Sequence, residues 1–137
     1  MNLLFFLTPK CDVCVLNRNS TLRQAIEKLR ASGRSAVPVI DDEGYYCGTV
    51  TEGDLLRAVL EADSKQTWER VSLGDVVRAD FNLPVKVMAS IEDLLHMATE
   101  QNFVPVIDDR GMFIGIVTRK AILQYFMGRY LGSGKET

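Results

Sequence analysis

The amino-acid sequence predicts an α+β fold of two pseudo-symmetric repeats, each a small sheet packed against two helices. The first observation is that Val37–Thr51 returns 67 residues later as Val104–Thr118, with ten of the fifteen positions identical. The second is that each copy consists of an apolar run, the turn sequence Asp-Asp-x-Gly and another apolar run. The third is that apolar residues at helical spacing flank each copy. A repeat of this length indicates one supersecondary unit used twice.

Each copy predicts a β-hairpin, because Val, Ile and Tyr suit strands and the Asp-Asp-x-Gly turn supplies a glycine where φ is positive. The four predicted strands are Ala36–Ile40, Tyr45–Val50, Phe103–Ile107 and Met112–Val117. Pro38 and Pro105 lack a backbone N–H, so each is expected at a strand start or at an unpaired edge position.

Helices are predicted before and after each hairpin. Thr21 begins a capping-box sequence ahead of the first hairpin, and Ser90 opens the corresponding helix ahead of the second. The first of these helices is expected to end at Gly33. Thr51 and Thr118 are natural N-caps where a strand leads into a helix.

Shorter segments complete the predicted order. They are a strand at Pro84–Val87 with its counterpart at Val13–Leu16, a short helix at Leu73–Arg78, and Trp68 as a lid over a core edge. The apolar stretch Met1–Leu7 is short and lacks a basic region, so we expect it to pack on the core or on a partner subunit rather than to act as a signal peptide. The first repeat with its N-terminal element is expected over 1–67, and the second over 68–137 with a frayed tail from Gly128.

The composition is that of a soluble globular protein. The net charge of the 137 residues is −2, so nucleic acid is not the expected partner, and no apolar run approaches membrane-spanning length. Cys11 and Cys14 form a C-x-x-C, but Cys47 and His96 have no ligand spacing to them, so neither a metal site nor redox chemistry is expected. Three cysteines without a secretory signal fit a reducing cytoplasm.

The strand-to-helix junctions are the candidate ligand sites. A capping hydroxyl, free backbone N–H groups and the helix dipole together favour a bound anion, typically a phosphate. No enzyme activity is expected, because the chain has one histidine and lacks a metal cluster, a nucleophile elbow and a glycine-rich phosphate loop.

The repeat resembles a tandem pair of CBS domains, the regulatory module named after cystathionine beta-synthase. The resemblance rests on Ser35–Asp41 with Gly48–Asp54, and on Val104–Asp108 with Gly115–Thr118, and it covers most of the chain. It implies adenosyl ligands in the cleft between the two repeats, where Gly-x-x-Thr-x-x-Asp of one repeat faces the residues before the proline of the other. In that family the Asp binds ribose hydroxyls, the Thr binds ribose or phosphate, and backbone near Ser-Ala reads the adenine.

Carried over residue by residue, the resemblance implies two unequal clefts. The nucleotide-binding set comprises Val13, Cys14, Ser35, Ala36, Ile116, Thr118, Arg119 and Lys120. Ala121 stands where the family has its Asp, so the ribose clamp is missing there. Arg119 and Lys120 are expected to meet phosphate oxygens, since cations at a helix N-terminus are electrostatically misplaced unless an anion compensates them. The alternative is that both are solvated and bind nothing.

The second cleft comprises Thr49, Thr51, Asp54, Gln101, Asn102 and Phe103. Asp54 has the spacing to accept from two vicinal hydroxyls. Glu52 and Asp54 also make this helix start acidic, which discourages a bare polyphosphate. The second copy is two residues shorter just before its hairpin, at Gln101 and Asn102, so the two clefts should differ.

The expected function is a non-catalytic regulatory module that binds an adenine nucleotide and signals to a partner protein. The ligand is AMP, ADP, ATP or cyclic di-AMP, and no cofactor is required. The alternative is a ligand-free scaffold for homodimerisation or protein interaction. A homodimer is expected because two helices carry more apolar residues than one small core needs: Leu55, Leu56, Val59, Leu60, Ile122, Leu123 and Phe126.

Overall fold

The computed structural model describes residues 2–64 and 67–135, and these form two compact units. The first unit comprises Cys14–Leu83 together with Gly111–Phe113. The second comprises the described residues up to Val13, Pro84–Arg110 and the described residues from Ile114 onward. Each predicted hairpin is present, one per unit, which confirms the α+β class.

The regular elements follow the predicted helix–strand–strand–helix order twice. In chain order they are β1 Thr8–Pro9, β2 Leu16–Asn17, α1 Leu22–Ser32, β3 Ala36–Ile40, β4 Tyr46–Thr51, α2 Glu52–Glu61, β5 Val85–Lys86, α3 Ile91–Glu100, β6 Phe103–Ile107, β7 Phe113–Thr118 and α4 Arg119–Lys135. Short 3-10 helices lie at Leu3–Phe6, Lys10–Asp12, Thr67–Glu69 and Leu73–Asp75. No described helix has the length and apolar character that crossing a bilayer requires.

The first unit is a three-stranded sheet in the order β2-β3-β4 with α1 and α2 packed on it. Strand β3 is parallel to β2 and antiparallel to β4. The core of this unit consists of Leu16, Leu22, Ala25, Leu29, Val37, Val39, Val50, Leu55 and Leu73. Trp68 is partly buried against this core, which confirms its predicted role as a lid.

The second unit is a four-stranded sheet in the order β1-β7-β6-β5. Its core consists of Leu3, Phe6, Val85, Leu94, Ala98, Val104, Val106, Val117 and Ile122. The N-terminal segment therefore packs on a core, as expected, and it also contributes the edge strand β1, whose Thr8 lies opposite Ile116. Met1 lies outside the described residues.

The helix ends confirm the capping predictions. The Thr21 hydroxyl accepts from the Gln24 N–H, and the Gln24 side chain returns the bond to the Thr21 N–H, which is a complete capping box. Ser90 caps α3 through the N–H of Asp93. Helix α1 ends at Gly33, whose φ of 69° is the left-handed conformation that favours glycine.

The two hairpin prolines do not lie at strand starts. Pro38 and Pro105 are each the third residue of their strands, β3 and β6. Pairing with the parallel neighbours β2 and β5 begins one residue later, at Val39 of β3 and Val106 of β6. Each proline therefore lies before the pairing with its parallel neighbour begins, so that side of the strand is unpaired there, although Pro38 lies opposite Thr49 of β4 on the other side.

The strand predicted at Val13–Leu16 is wrong in position. Val13 ends the 3-10 helix at Lys10–Asp12, Cys14 lies in irregular chain, and the strand is Leu16–Asn17. Leu16 pairs with Val39 as Val85 pairs with Val106, so Leu16 is the counterpart of Val85. Leu16 precedes Val85 by 69 residues, the offset that also separates Thr21 from Ser90, whereas the prediction paired Val13 with Pro84 at an offset of 71.

Two other boundaries differ from expectation. The helix predicted at Leu73–Arg78 is a single 3-10 turn that ends at Asp75, after which the chain turns towards β4. Helix α4 runs to Lys135, through most of the segment for which the sequence predicts a frayed tail. Glu136 and Thr137 lie outside the described residues.

Candidate ligand site

Two threonines cap the helices that follow the hairpins. The Thr51 hydroxyl accepts from the Asp54 N–H over 3.1 Å, and the Asp54 carboxylate accepts from the Thr51 N–H over 2.9 Å. At the second junction the Thr118 hydroxyl accepts from the Ala121 N–H over 3.0 Å. Because Ala121 has no carboxylate to return the bond, only the first junction forms a full capping box.

Asp54 is paired with arginine inside the first unit. Its side chain is only 2% exposed, and the Arg78 guanidinium contacts both carboxylate oxygens, from Nε at 3.1 Å and from Nη2 at 3.2 Å. Arg57 adds a longer contact at 3.5 Å. Of the two acidic residues that the sequence places at this helix start, Asp54 is therefore paired with two cations, whereas Glu52 is exposed.

The protonation state of Asp54 follows from these contacts. Burial acts to raise its pKa, but the hydrogen bond from the Thr51 N–H and the bond and charge of Arg78 outweigh burial, so the pKa lies below its ordinary value. Asp54 is thus a carboxylate at neutral pH, and its oxygens already have donors.

Thr49 forms a buried hydroxyl network with the segment after the 3-10 turn. Its side chain is fully buried, and its oxygen lies 2.7 Å from the Tyr46 hydroxyl and 3.3 Å from the Asn82 amide nitrogen. The Tyr46 hydroxyl also donates to the Asn82 carbonyl oxygen over 2.8 Å. Desolvation raises the pKa of Tyr46 to about 12, so this hydroxyl stays neutral.

Gly48 allows the same segment to approach β4 closely. A Cβ built on this glycine would lie 2.7 Å from the Arg78 carbonyl oxygen, and its φ of 143° is also unfavourable for other residues. Gly115 repeats the arrangement in the second unit, where an added Cβ would meet the backbone of Thr8. The glycine of each Gly-x-x-Thr motif thus makes room for a neighbouring backbone.

Arg119 has its partners within its own unit. Its guanidinium donates from Nε to the Ala98 carbonyl oxygen over 2.7 Å, from Nη2 to that of Thr99 over 3.3 Å, and from Nη1 to the Asn102 side chain over 3.0 Å. The carbonyls of Ala98 and Thr99 belong to the last turn of α3. Arg119 therefore closes the C-terminal end of α3, where a cation is electrostatically favoured.

Lys120 is the exposed cation beside it. Its side chain points to solvent, and among the described residues no hydrogen bond or ion pair engages its ammonium group. Lys120 lies in the first turn of α4, where the positive end of the helix dipole disfavours a cation. Of the two predicted phosphate ligands, Lys120 is the one whose charge remains available.

The other predicted residues lie at the ends of elements. The Ser35 carbonyl oxygen accepts from the Glu52 N–H over 2.9 Å, and Ala36 pairs with Thr51, so these residues meet at the first junction. Gln101 and Asn102 follow α3, Phe103 begins β6, and Ile116 lies in β7. Each junction thus joins residues of both predicted sets, Ala36 beside Thr51 and Asn102 beside Arg119, and the two sets stay predictions.

Sequence reasoning missed the residues that engage Asp54 and Thr49, namely Arg78 and Asn82. Both lie in the segment after the 3-10 turn, which the sequence repeat does not single out. The one signal in the sequence is the glycine of the Gly-x-x-Thr motif, because a glycine inside a strand often marks a close backbone approach. Asn82 also has a positive φ, 61°, which the sequence pattern does not indicate.

The architecture of two like units, each a small sheet with a helix-capping threonine after its hairpin, is that of a tandem α+β repeat. The CBS domain model matches residues 7–61 and 73–128. The chain belongs to the CBS domain family.

Relatives by sequence include proteins of several lengths. A CBS domain-containing protein of Dictyostelium discoideum is 30% identical over 79% of this chain and 80% of its own length. An uncharacterised protein of Methanocaldococcus jannaschii is 34% identical over 83% of this chain, but only 30% of its own length is matched. The L-aspartate semialdehyde sulfurtransferase of the same organism is 28% identical, with 21% of its length matched. The chain therefore spans less than a third of the latter two relatives.

Some solved structures with the same fold contain nucleotides. The crystal structure of CbpB in complex with c-di-AMP is 25% identical, covers 100% of this chain and 91% of its own, and superposes with a TM-score of 0.91. The crystal structure of CBSX2 in complex with AMP is 26% identical, covers 94% of this chain and 98% of its own, and has a TM-score of 0.75. Among the described residues of this chain, no group of three or more His, Cys, Asp or Glu side chains is arranged to hold a metal ion.

Proposed function

We propose that this chain is a cytoplasmic, non-catalytic regulatory module that binds an adenine nucleotide and changes its affinity for a partner protein when the nucleotide binds. The observation that carries the proposal is the structural similarity of this chain, over its full length, to CbpB bound to c-di-AMP. The likeness to CBSX2 bound to AMP supports the broader ligand class, an adenine nucleotide, rather than one member of it.

The helix start at Thr118 is the favoured position for the anionic part of the ligand. Helix α4 is 17 residues long, so its N-terminal end carries the full partial charge of a helix dipole. The free ammonium group of Lys120 adds a charge that a phosphate would neutralise. Arg119 holds α3 and α4 together and thereby positions Lys120, so we assign it a structural role at this site.

The test is a thermal-shift and calorimetric comparison of AMP, ADP, ATP, S-adenosylmethionine and c-di-AMP. A ligand at 100 times its Kd stabilises the folded protein by about 2.7 kcal/mol, which is easily detected. GMP and c-di-GMP are the matched controls, because they carry the same phosphates and sugars with a different base. No heat and no shift with any adenine nucleotide would reject the proposal, and equal binding of the guanine nucleotides would reject adenine specificity.

A second candidate is a scaffold that dimerises without a ligand. The observation in its favour is the exposed apolar surface of α4, where Leu123, Phe126 and Met127 are 53%, 44% and 57% exposed. Exposed apolar patches of this kind mark interaction sites. The nucleotide panel separates the two candidates, since a pure scaffold dimerises but binds none of the compounds.

A further inference from the structure

The segment Arg78–Asn82, here called the strap, covers the ligand residues predicted at the first junction. Arg78 pairs with Asp54, and Asn82 bonds to Thr49. A cation–π contact within the strap adds to these bonds, because the Arg78 guanidinium lies 4.2 Å from the centroid of the Phe81 ring. As a result Thr49 is fully buried, and Asp54 is 3% exposed. A solute can reach neither side chain while the strap is in place.

The Arg78 guanidinium presents to Asp54 the same pair of donors as a vicinal diol. One N–H points to each carboxylate oxygen, at 3.1 and 3.2 Å. Two hydroxyl groups on neighbouring carbons of a ribose can offer two O–H donors in a similar fork. The carboxylate also accepts from the Thr51 N–H, so it has no capacity for both forks at once.

We propose that Arg78 is an internal competitor for the ligand at the first junction, so that a ribose diol binds Asp54 only by displacing Arg78 and releasing the strap. The inference rests on the proposed function, and it concerns adenine nucleotides with a free 2′,3′-diol, such as AMP, because both ribose 3′ oxygens of c-di-AMP are esterified. Strap release has a direct path along the chain, because Leu83 is the last residue of the first unit before Pro84 begins the second. Nucleotide occupancy of this junction is thereby coupled to the segment that joins the two repeats.

The geometry makes displacement accessible. The Arg78 side chain is 44% exposed and the Phe81 side chain 36%, so water reaches the outer face of the fork. Because the guanidinium is already partly hydrated, it can move into solvent at low desolvation cost, provided that the ligand supplies the donors that the buried carboxylate requires. The Arg78 end of the strap is thus held by contacts that a ligand with two hydroxyl donors can replace.

The first test needs no nucleotide. Asp54→Asn keeps an oxygen that can accept from the Thr51 N–H but removes the charge that holds Arg78. We expect trypsin to cleave after Arg78 about tenfold faster in this variant, since cleavage follows the population of the open segment. Cleavage after Arg70, an exposed arginine that makes no contact with Asp54, serves as the internal control. An unchanged rate after Arg78 would show that Asp54 does not hold the strap.

The second test measures competition. Arg78→Met should bind AMP about tenfold more tightly than the wild type, because no charge-assisted bond has to be broken. Its affinity for 2′-deoxy-AMP, which has only one of the two hydroxyls, should rise by less. Arg70→Met is the matched control, and it should bind AMP as the wild type does. Phe81→Leu, which removes only the ring beneath the guanidinium, should shift AMP binding in the same direction by less and guards against misfolding of the first variant.

The outcomes separate the two claims. Equal AMP affinity of wild type and Arg78→Met overturns the competition and leaves the proposed function in place. Absence of AMP binding in both proteins overturns the competition, and absence of binding with every adenine nucleotide overturns the proposed function as well. Tighter AMP binding restricted to the Arg78 and Phe81 variants supports both.

Discussion

The Arg119 guanidinium donates from Nε to the Ala98 carbonyl oxygen over 2.7 Å and so joins the start of α4 to the end of α3. A cation at a helix N-terminus is unfavourable unless something anionic lies nearby. Here the compensating negative charge is the carbonyl end of α3, which Arg119 also contacts through Thr99. The position of this cation therefore has a structural explanation that requires no ligand.

Arg119→Ala should destabilise the second unit. The substitution removes three hydrogen bonds and leaves carbonyl groups of the last turn of α3 without their charged donor, so we expect a loss of about 1–3 kcal/mol in the free energy of unfolding. Chemical denaturation measures this directly. Arg119→Lys keeps the charge but has no planar fork, so its stability should lie between that of the wild type and that of Arg119→Ala. If Arg119→Ala unfolds like the wild type while losing nucleotide affinity, Arg119 is a ligand residue and the structural role is wrong.

Lys120→Ala should show the opposite behaviour. The ammonium group forms no hydrogen bond or ion pair among the described residues and is exposed, so stability should change by less than about 0.5 kcal/mol. Binding of a nucleotide should weaken, because a charge beside the phosphate is lost. Titration calorimetry at two salt concentrations measures both the affinity and its salt dependence, which should be smaller in the variant. Unchanged affinity and salt dependence would exclude Lys120 from the site.

The contrast between Arg119, which is bonded within the protein, and Lys120, which is exposed, shows what the sequence could and could not predict. Hairpins, caps and helix ends depend on residues a few positions apart, and Thr21, Ser90 and Gly33 all act as their local patterns predict. The partner of Arg119 is 21 residues away along the chain, and that of Asp54 is 24 residues away. No local pattern encodes such a pairing, so a guanidinium available to a ligand looks the same in the sequence as one already bonded.

The edge strand β1 was missed for a related reason. A two-residue strand, Thr8–Pro9, is too short to show alternation, and its proline argues against a strand. It forms because Gly115 of β7 leaves room for the Thr8 backbone. The glycine was predicted as part of the repeat motif, whereas the backbone that it admits comes from a distant segment.

Thr49→Val should destabilise the first unit through its hydroxyl network. Valine has nearly the shape of threonine but cannot bond to Tyr46 or accept from Asn82, which then keeps a buried amide without that acceptor. We expect a loss of about 1–3 kcal/mol in the free energy of unfolding. Thr49→Ser keeps the hydroxyl and removes a methyl group, which costs about 1 kcal/mol. A Thr49→Val protein as stable as the wild type would mean that the network contributes nothing.

A homodimer should be found in solution, although only part of the predicted apolar set is available to form it. Leu55 and Ile122 are 4% and 6% exposed and belong to the cores, whereas Leu60 and Phe126 are 75% and 44% exposed. Light scattering at micromolar concentration should give twice the mass of one chain. Leu60→Glu in α2 and Phe126→Glu in α4, tested separately, report which helix lies in the dimer interface. A buried unpaired charge strongly opposes association. Lys28→Glu, on an exposed face of α1, is the control, and a monomeric wild type would refute the prediction.

Tyr46 should make the stability of the first unit fall at alkaline pH. Burial raises its folded-state pKa to about 12 from the ordinary value of 10.0. A group whose pKa is raised on folding stabilises the protein fully below its unfolded-state pKa, and that contribution is lost as pH rises from about 10 towards 12. Each unit of pKa difference corresponds to about 1.4 kcal/mol.

Tyr46→Phe has no ionisable hydroxyl, so its stability should fall less over this range even though it starts lower through the lost bonds to Thr49 and Asn82. Urea unfolding of both proteins between about pH 8 and pH 11 measures the difference, and parallel curves for the two proteins would show that Tyr46 titrates normally.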